Sequence, residues 1–80
     1  MRMPQLDVVL YTREGCHLCA EAQQALAKYG LRCQLVDIDL EPELRAKYDL
    51  CVPVVTINGR ERFRGKVDEL LLRRIISAGG

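Results

Sequence analysis

Two cysteines separated by two residues, Cys16-His17-Leu18-Cys19, stand between a run that reads as a strand and a run that reads as a helix. The strand covers residues 6–11, centres on Val8, Val9 and Leu10, and ends at Thr12. Arg13-Glu14-Gly15 makes the turn, and the helix begins close to Cys16 and runs to Tyr29. At a helix start, free backbone N–H groups and the positive end of the macrodipole favour an anion. A thiolate is such an anion, and at such a position the thiol pKa falls from about 8.5 into the range of roughly 3.5–7.5. Cys16, the N-terminal member, is therefore the expected attacking sulfur. Cys19 lies one turn further in, near enough to close a disulfide with it and release a bound substrate. His17 follows the nucleophile directly; an imidazolium there would favour the thiolate further, and it reads equally as an exposed first-turn residue with little effect.

Composition narrows the context. Eighty residues are expected to form one domain, 1–80, burying somewhat over ~60% of the unfolded surface. Four cysteines could make two structural disulfides. Against that, Met1-Arg2-Met3-Pro4-Gln5 leads into a strand-like segment containing Asp7 rather than the apolar stretch of a signal peptide. No apolar run approaches the roughly 18 residues a membrane span needs. A cytoplasmic protein is expected, in a compartment where paired cysteines are more often catalytic or metal-binding than structural. Zinc wants four ligands, and Cys33 and Cys51 are single and far apart, so no second pair is recognisable. A net charge of +1 makes no general case for nucleic acid. Arg60, Arg62, Arg64 and Lys66 are the one basic concentration. They read as a solvated edge strand, since no aromatic residues interleave as a stacking platform requires.

Along the chain, Leu18, Ala22, Ala25, Leu26 and Tyr29 form an apolar helical stripe, and Gly30 stops the helix as a left-handed residue. Residues 31–38 read as a second strand, which makes a right-handed βαβ unit with parallel strands. Residues 39–41 lead into a short helix with Pro42 at its first position and Leu44, Ala46 and Tyr48 inside it. The β-branched run 52–57 closes on Asn58-Gly59, a strong hairpin signal, so residues 60–64 should return antiparallel. Gly65 breaks that strand, and Val67, Leu70, Leu71 and Ile75 form the inner stripe of a closing helix.

This order, together with Tyr11-Thr12-Arg13-Glu14-Gly15-Cys16-His17-Leu18-Cys19, the strand end Val36-Asp37-Ile38-Asp39, Val52-Pro53-Val54 and Gly65 before the last helix, resembles the thioredoxin fold in its minimal, glutaredoxin-like form. Cys16-His17-Leu18-Cys19 and the segment Arg64-Gly65-Lys66-Val67-Asp68-Glu69 resemble most of all a poorly characterised bacterial glutaredoxin-like subfamily. The resemblance implies an α/β architecture, βαβ-α-ββα, with a four-stranded mixed sheet and helices on both faces. It implies a cis bond before Pro53 that sets the backbone of Val52 beside the dithiol, where it can pair with a bound disulfide-containing peptide or glutathione. Arg13 matches a basic residue near the glutathione glycyl carboxylate. Tyr11, His17 and Gly65 complete the expected substrate-binding set, although an aromatic residue at a strand end such as Tyr11 also reads as core. His17-Leu18 stands where glutaredoxins commonly carry Pro-Tyr, and Arg64 replaces one of a glycine pair.

The expected activity is thiol–disulfide exchange by a monomer, with Cys16 and Cys19 catalytic and no bound cofactor. Glutathione or a thioredoxin-reductase-like flavoprotein would return the electrons. Two other readings stay open: a thioredoxin-like binding module without turnover, and a metal or iron–sulfur carrier using Cys16. Cys33 reads as a small strand hydrophobe. Cys51, two residues before Pro53, reads as loop packing or as an alternative resolving thiol open to glutathionylation. Asp37 and Asp39 lack a His or further carboxylate at matching spacing and read as strand-end solvation.

Overall fold

The structure, a computed structural model, describes residues 6–49 and 51–78. The stretch read for a signal peptide, residues 1–5, lies outside the described residues, as does the Gly79-Gly80 tail. The elements are β1 (Val8–Thr12), α1 (His17–Lys28), β2 (Cys33–Asp37), a 3-10 turn (Ile38–Leu40), α2 (Pro42–Tyr48), β3 (Val54–Ile57), β4 (Arg60–Arg64) and α3 (Glu69–Ser77). They form one mixed sheet in the order β2-β1-β3-β4. β1 runs parallel to β2 and antiparallel to β3, and β4 returns antiparallel to β3. The expected α/β architecture with a four-stranded mixed sheet is the one observed.

Period-two alternation divides the sheet's side chains between two cores. Val8 and Leu10 of β1, with Val55 and Ile57 of β3, meet Ala22 and Leu26 of α1 and Leu72 and Ile75 of α3 on one face. Tyr11 and Val54 point the other way, where Ile38 and Tyr48 cover them. β3 is buried at all four positions, which its uninterrupted Val-Val-Thr-Ile run requires. Asn58 (φ 54°) and Gly59 (φ 81°) are both left-handed, as a two-residue turn of this hand needs. Asn58 also accepts a hydrogen bond from the Asp7 amide through Oδ1 at 2.9 Å, tying the turn to the approach of β1.

Several sequence expectations shift. The strands are shorter than read: β1 starts at Val8, β2 covers Cys33–Asp37, and Val52 and Pro53 precede β3. In α1 the inward row is Cys19, Ala22 and Leu26, and Leu18 is 46% exposed. Cys16 caps the helix, and that choice of first residue rotates Cys19 inward and Leu18 off the stripe. In α3 the Asp68 carboxylate accepts from the Leu70 and Leu71 amides at 3.0 and 3.2 Å. This cap leaves Val67 buried before the helix and turns Leu72 and Ile75 to the core, while Leu70 and Leu71 stay exposed. In the hairpin, Val55 faces Phe63 but Thr56 faces Glu61, so Arg62 is the extra residue of a β-bulge. A bulge on a basic edge strand makes that edge a poor template for further pairing.

The revised stripe is testable by urea unfolding. Leu72→Ala should cost about 2–5 kcal/mol, as truncation of a buried leucine does. Leu70→Ala should stay within roughly 0.5 kcal/mol, as exposed substitutions do. Equal losses at the two positions would contradict the helix phase described.

Candidate active site

The sheet brings four separate stretches to one end. Tyr11 of β1 is in register with Val36 of β2 and Val54 of β3, and Val54 with Arg64 of β4. The loop after β1, the turn after β2, the Val52-Pro53 stretch before β3 and Gly65 after β4 therefore share an edge. The Val52–Pro53 bond is cis. Gly65, left-handed at φ 87°, donates its amide to the Pro53 carbonyl at 2.7 Å. That bond joins the two last stretches.

Cys16 occupies the cap position of α1 with extended backbone (φ −88°, ψ 108°), and its Sγ accepts the Cys19 amide at 3.1 Å. A sulfur thus takes the place that a serine or aspartate oxygen usually fills at a helix start. Cys16 and Cys19 are joined as a disulfide, their Cα atoms 5.2 Å apart, within the span such a bridge needs. Cys16 is half-buried and Cys19 is 4% exposed, so Cys16 is the more accessible residue of the pair. His17 and Leu18, between them, are both exposed.

Other expected site residues have structural partners. Tyr11 is half-buried, with its ring 4.9 Å from that of buried Tyr48. Arg13, of intermediate exposure, is held by its neighbours: Nε and Nη2 donate to the two Asp39 carboxylate oxygens at 3.2 and 2.7 Å. Its Nη1 reaches the Asp49 carbonyl at 2.7 Å and the Asp49 carboxylate at 3.2 Å. These hydrogen bonds raise the guanidinium pKa and hold the Asp39 carboxyl below the usual aspartate range. Asp37 caps the 3-10 turn by accepting from the Asp39 amide at 2.9 Å. The aspartates thus serve chain geometry, and among the described residues no group of three or more His, Cys, Asp or Glu is placed to hold a metal ion.

The remaining thiols differ. Cys33, half-buried at the start of β2, packs on the main core, and burial pushes its thiol pKa up. Cys51 sits half-buried against the smaller core, with Arg64 Nη1 3.7 Å from its sulfur. The contact of Arg64 with Cys51 and the clamp on Arg13 were not foreseen from the sequence; partners 13 to 36 residues apart leave no local signal. Among the described residues no helix is long and apolar enough to cross a membrane.

Fold and site together define a thioredoxin-fold protein of the glutaredoxin type, with a two-cysteine motif opening its first helix. Residues 7–77 match the Glutaredoxin-like domain family (DUF836), and the chain belongs to that family. It is 35% identical to an uncharacterised protein of Mycobacterium tuberculosis, over 96% of this chain and 87% of that protein. The crystal structure of a Xanthomonas campestris structural-genomics target superposes with a TM-score of 0.77 at 37% identity, covering 89% of this chain and 96% of that one. Glutaredoxin from Brucella melitensis superposes with a TM-score of 0.68 at 28% identity, covering 96% and 95%.

The Arg13–Asp39 pair carries a pH signature. Because the folded carboxyl titrates below its ordinary value, the stability it contributes is complete above a pH of about 4. It is lost as pH falls through the lower folded value. The stability difference between wild type and Asp39→Asn should therefore hold steady from neutral pH to about pH 5 and shrink below about pH 4. A difference unchanged down to acid unfolding would show that Asp39 is not the titrating partner.

Proposed function

We propose that the protein is a thiol–disulfide oxidoreductase working by dithiol exchange at Cys16 and Cys19. The observation that carries this reading is the asymmetry of the pair: Cys16 Sγ caps α1 at 3.1 Å from the Cys19 amide, while Cys19 is buried one turn away. In the reduced protein the capping N–H and the helix dipole favour a Cys16 thiolate. That thiolate attacks one sulfur of a substrate disulfide. A Cys16–substrate disulfide forms, and the other substrate sulfur departs as a thiolate that takes a proton from water. Cys19 then loses its proton and attacks Cys16 Sγ. The mixed disulfide breaks, the second substrate thiol leaves, and the Cys16–Cys19 bond forms.

Two electrons have then passed from the dithiol to the substrate, and both are carried by sulfur, so the reaction calls for no bound cofactor. Two molecules of glutathione, or a thioredoxin-reductase-like flavoprotein, return them. The backbone of Val52, beside Pro53 at the same sheet end, offers an extended edge along which a disulfide-bearing protein segment or glutathione can lie. Gly65, bonded to the Pro53 carbonyl, keeps the neighbouring loop free of a side chain where the substrate passes.

A redox titration in glutathione buffers, read by thiol alkylation and mass, tests the proposal. A reversible two-electron midpoint for Cys16–Cys19 between roughly −180 and −270 mV is expected. Cys16→Ser should abolish exchange, and Cys19→Ser should accumulate the Cys16 mixed disulfide. If an imidazolium at His17 favours the thiolate, His17→Ala shifts the alkylation–pH profile to higher pH, and an unchanged profile leaves His17 an exposed first-turn residue without that role. A pair that never oxidises, or never reduces, across the range leaves no catalytic cycle.

A further inference from the structure

Arg13 stands three residues before Cys16, and four hydrogen bonds hold its guanidinium within the chain. Nε and Nη2 form a two-pronged pair with Asp39, and Nη1 holds both the carbonyl and the carboxylate of Asp49. Asp39 belongs to the turn after β2, and Asp49 follows α2, three residues before Val52. From Asp49 the chain continues through Cys51, whose amide bonds the Tyr48 carbonyl at 2.9 Å, to Val52 and Pro53. Pro53 in turn accepts the Gly65 amide. A planar fork with five N–H donors can serve two acceptor sets in fixed directions, which a lysine cannot.

From this arrangement we infer that Arg13 is a positioning residue of the dithiol site: it fixes the loop that delivers Cys16 to the segment that delivers Val52. The inference rests on the exchange reaction proposed above and deepens it. Attack requires the substrate disulfide to lie along Val52 while one of its sulfurs meets Cys16. The two loops approach from different strands, and small errors in their relative placement are costly to such a step. Charge argues against a direct substrate role. Arg13 and Arg45 share Asp39, and Asp49 adds a second carboxylate, so two anions already flank the guanidinium. A third carboxylate, brought by substrate, would meet their repulsion and find no unoccupied pair of N–H donors for a two-pronged grip. The site therefore selects its substrate by the backbone beside the disulfide rather than by a carboxylate held on Arg13, which favours disulfides in extended protein segments.

The test uses the full chain, with two cystine-bridged peptides of one sequence, their carboxylates free in one and amidated in the other. Arg13→Ala and Asp39→Asn should each raise KM roughly 10- to 100-fold for both peptides, with kcat changed much less. Arg13→Lys should recover only part of the loss. The iodoacetamide–pH profile of Cys16, which depends on its helix cap, should not move. Amide exchange should lose protection at Cys51 and Gly65 in Arg13→Ala. A KM penalty confined to the free-carboxylate peptide would make Arg13 a substrate ligand and overturn the inference, as would an unchanged KM for both. If wild type exchanges with neither peptide, the exchange reaction itself fails. Amide exchange then decides for Arg13 alone, and undiminished protection at Cys51 and Gly65 in Arg13→Ala overturns the tie between the loops.

Discussion

The pairing of β1 with strands on both sides is the constraint on which the rest depends. β1 is the first of the described strands yet lies inside the sheet, parallel to β2 and antiparallel to β3. A parallel neighbour demands a crossover, and α1 is that crossover. Its start must then lie just past the carboxyl end of β1, where the chain has four residues, Arg13 to Cys16, in which to turn. An antiparallel neighbour on the other side brings the beginning of β3 to the same end. Helix start and Val52-Pro53 become neighbours through strand direction alone, before any side chain of the site is considered.

Within that frame, chemistry and folding use the same backbone groups. The first amides of α1 lack partners in the helix and need an acceptor. Cys16 provides it with sulfur, so the residue that would react is also the residue that begins the helix. Asp68 does the equivalent at α3 with an ordinary carboxylate. Across the two helices, Glu69 accepts from Lys28 Nζ at 3.1 Å and the Tyr29 hydroxyl at 2.9 Å, which pins the end of α1 to the start of α3. These two hydrogen bonds lower the Glu69 pKa, and its carboxylate raises those of Lys28 and Tyr29.

What the sequence made legible was punctuation and order. Gly30, Asn58-Gly59, Gly65 and Pro42 marked ends and turns because each has a backbone preference that few neighbours override. Helix phase was harder. Leu18 lies with Ala25 on one side of Ala22, and Cys19 with Leu26 on the other; both rows have helical spacing, and apolar pattern alone favoured the leucine. Leu70 and Leu71 posed the same ambiguity at α3. The caps resolved both, and Cys16 is not a usual cap. At the site, the two cysteines were visible as a local motif. The partners of Arg13 were not, since Asp39 and Asp49 lie 26 and 36 residues on. The bulge at Arg62 was also hidden, because the hairpin turn sets register only near itself.

The division of the interior into two unequal cores has a consequence for cooperativity. The larger one joins α1 and α3 through the sheet, and nothing in it needs α2. The smaller consists of Ile38, Tyr48 and Val54 with a partly buried fringe. A layer held by so few apolar contacts can open without dismantling the other, as a separate unit of local unfolding. That unit carries Asp49, Cys51 and Val52. The chain thus seats α1 on the larger core and Val52 on the fringe of the smaller one. Local opening there loosens the Val52 side of this sheet end while the helix that begins after Cys16 stays packed on the larger core.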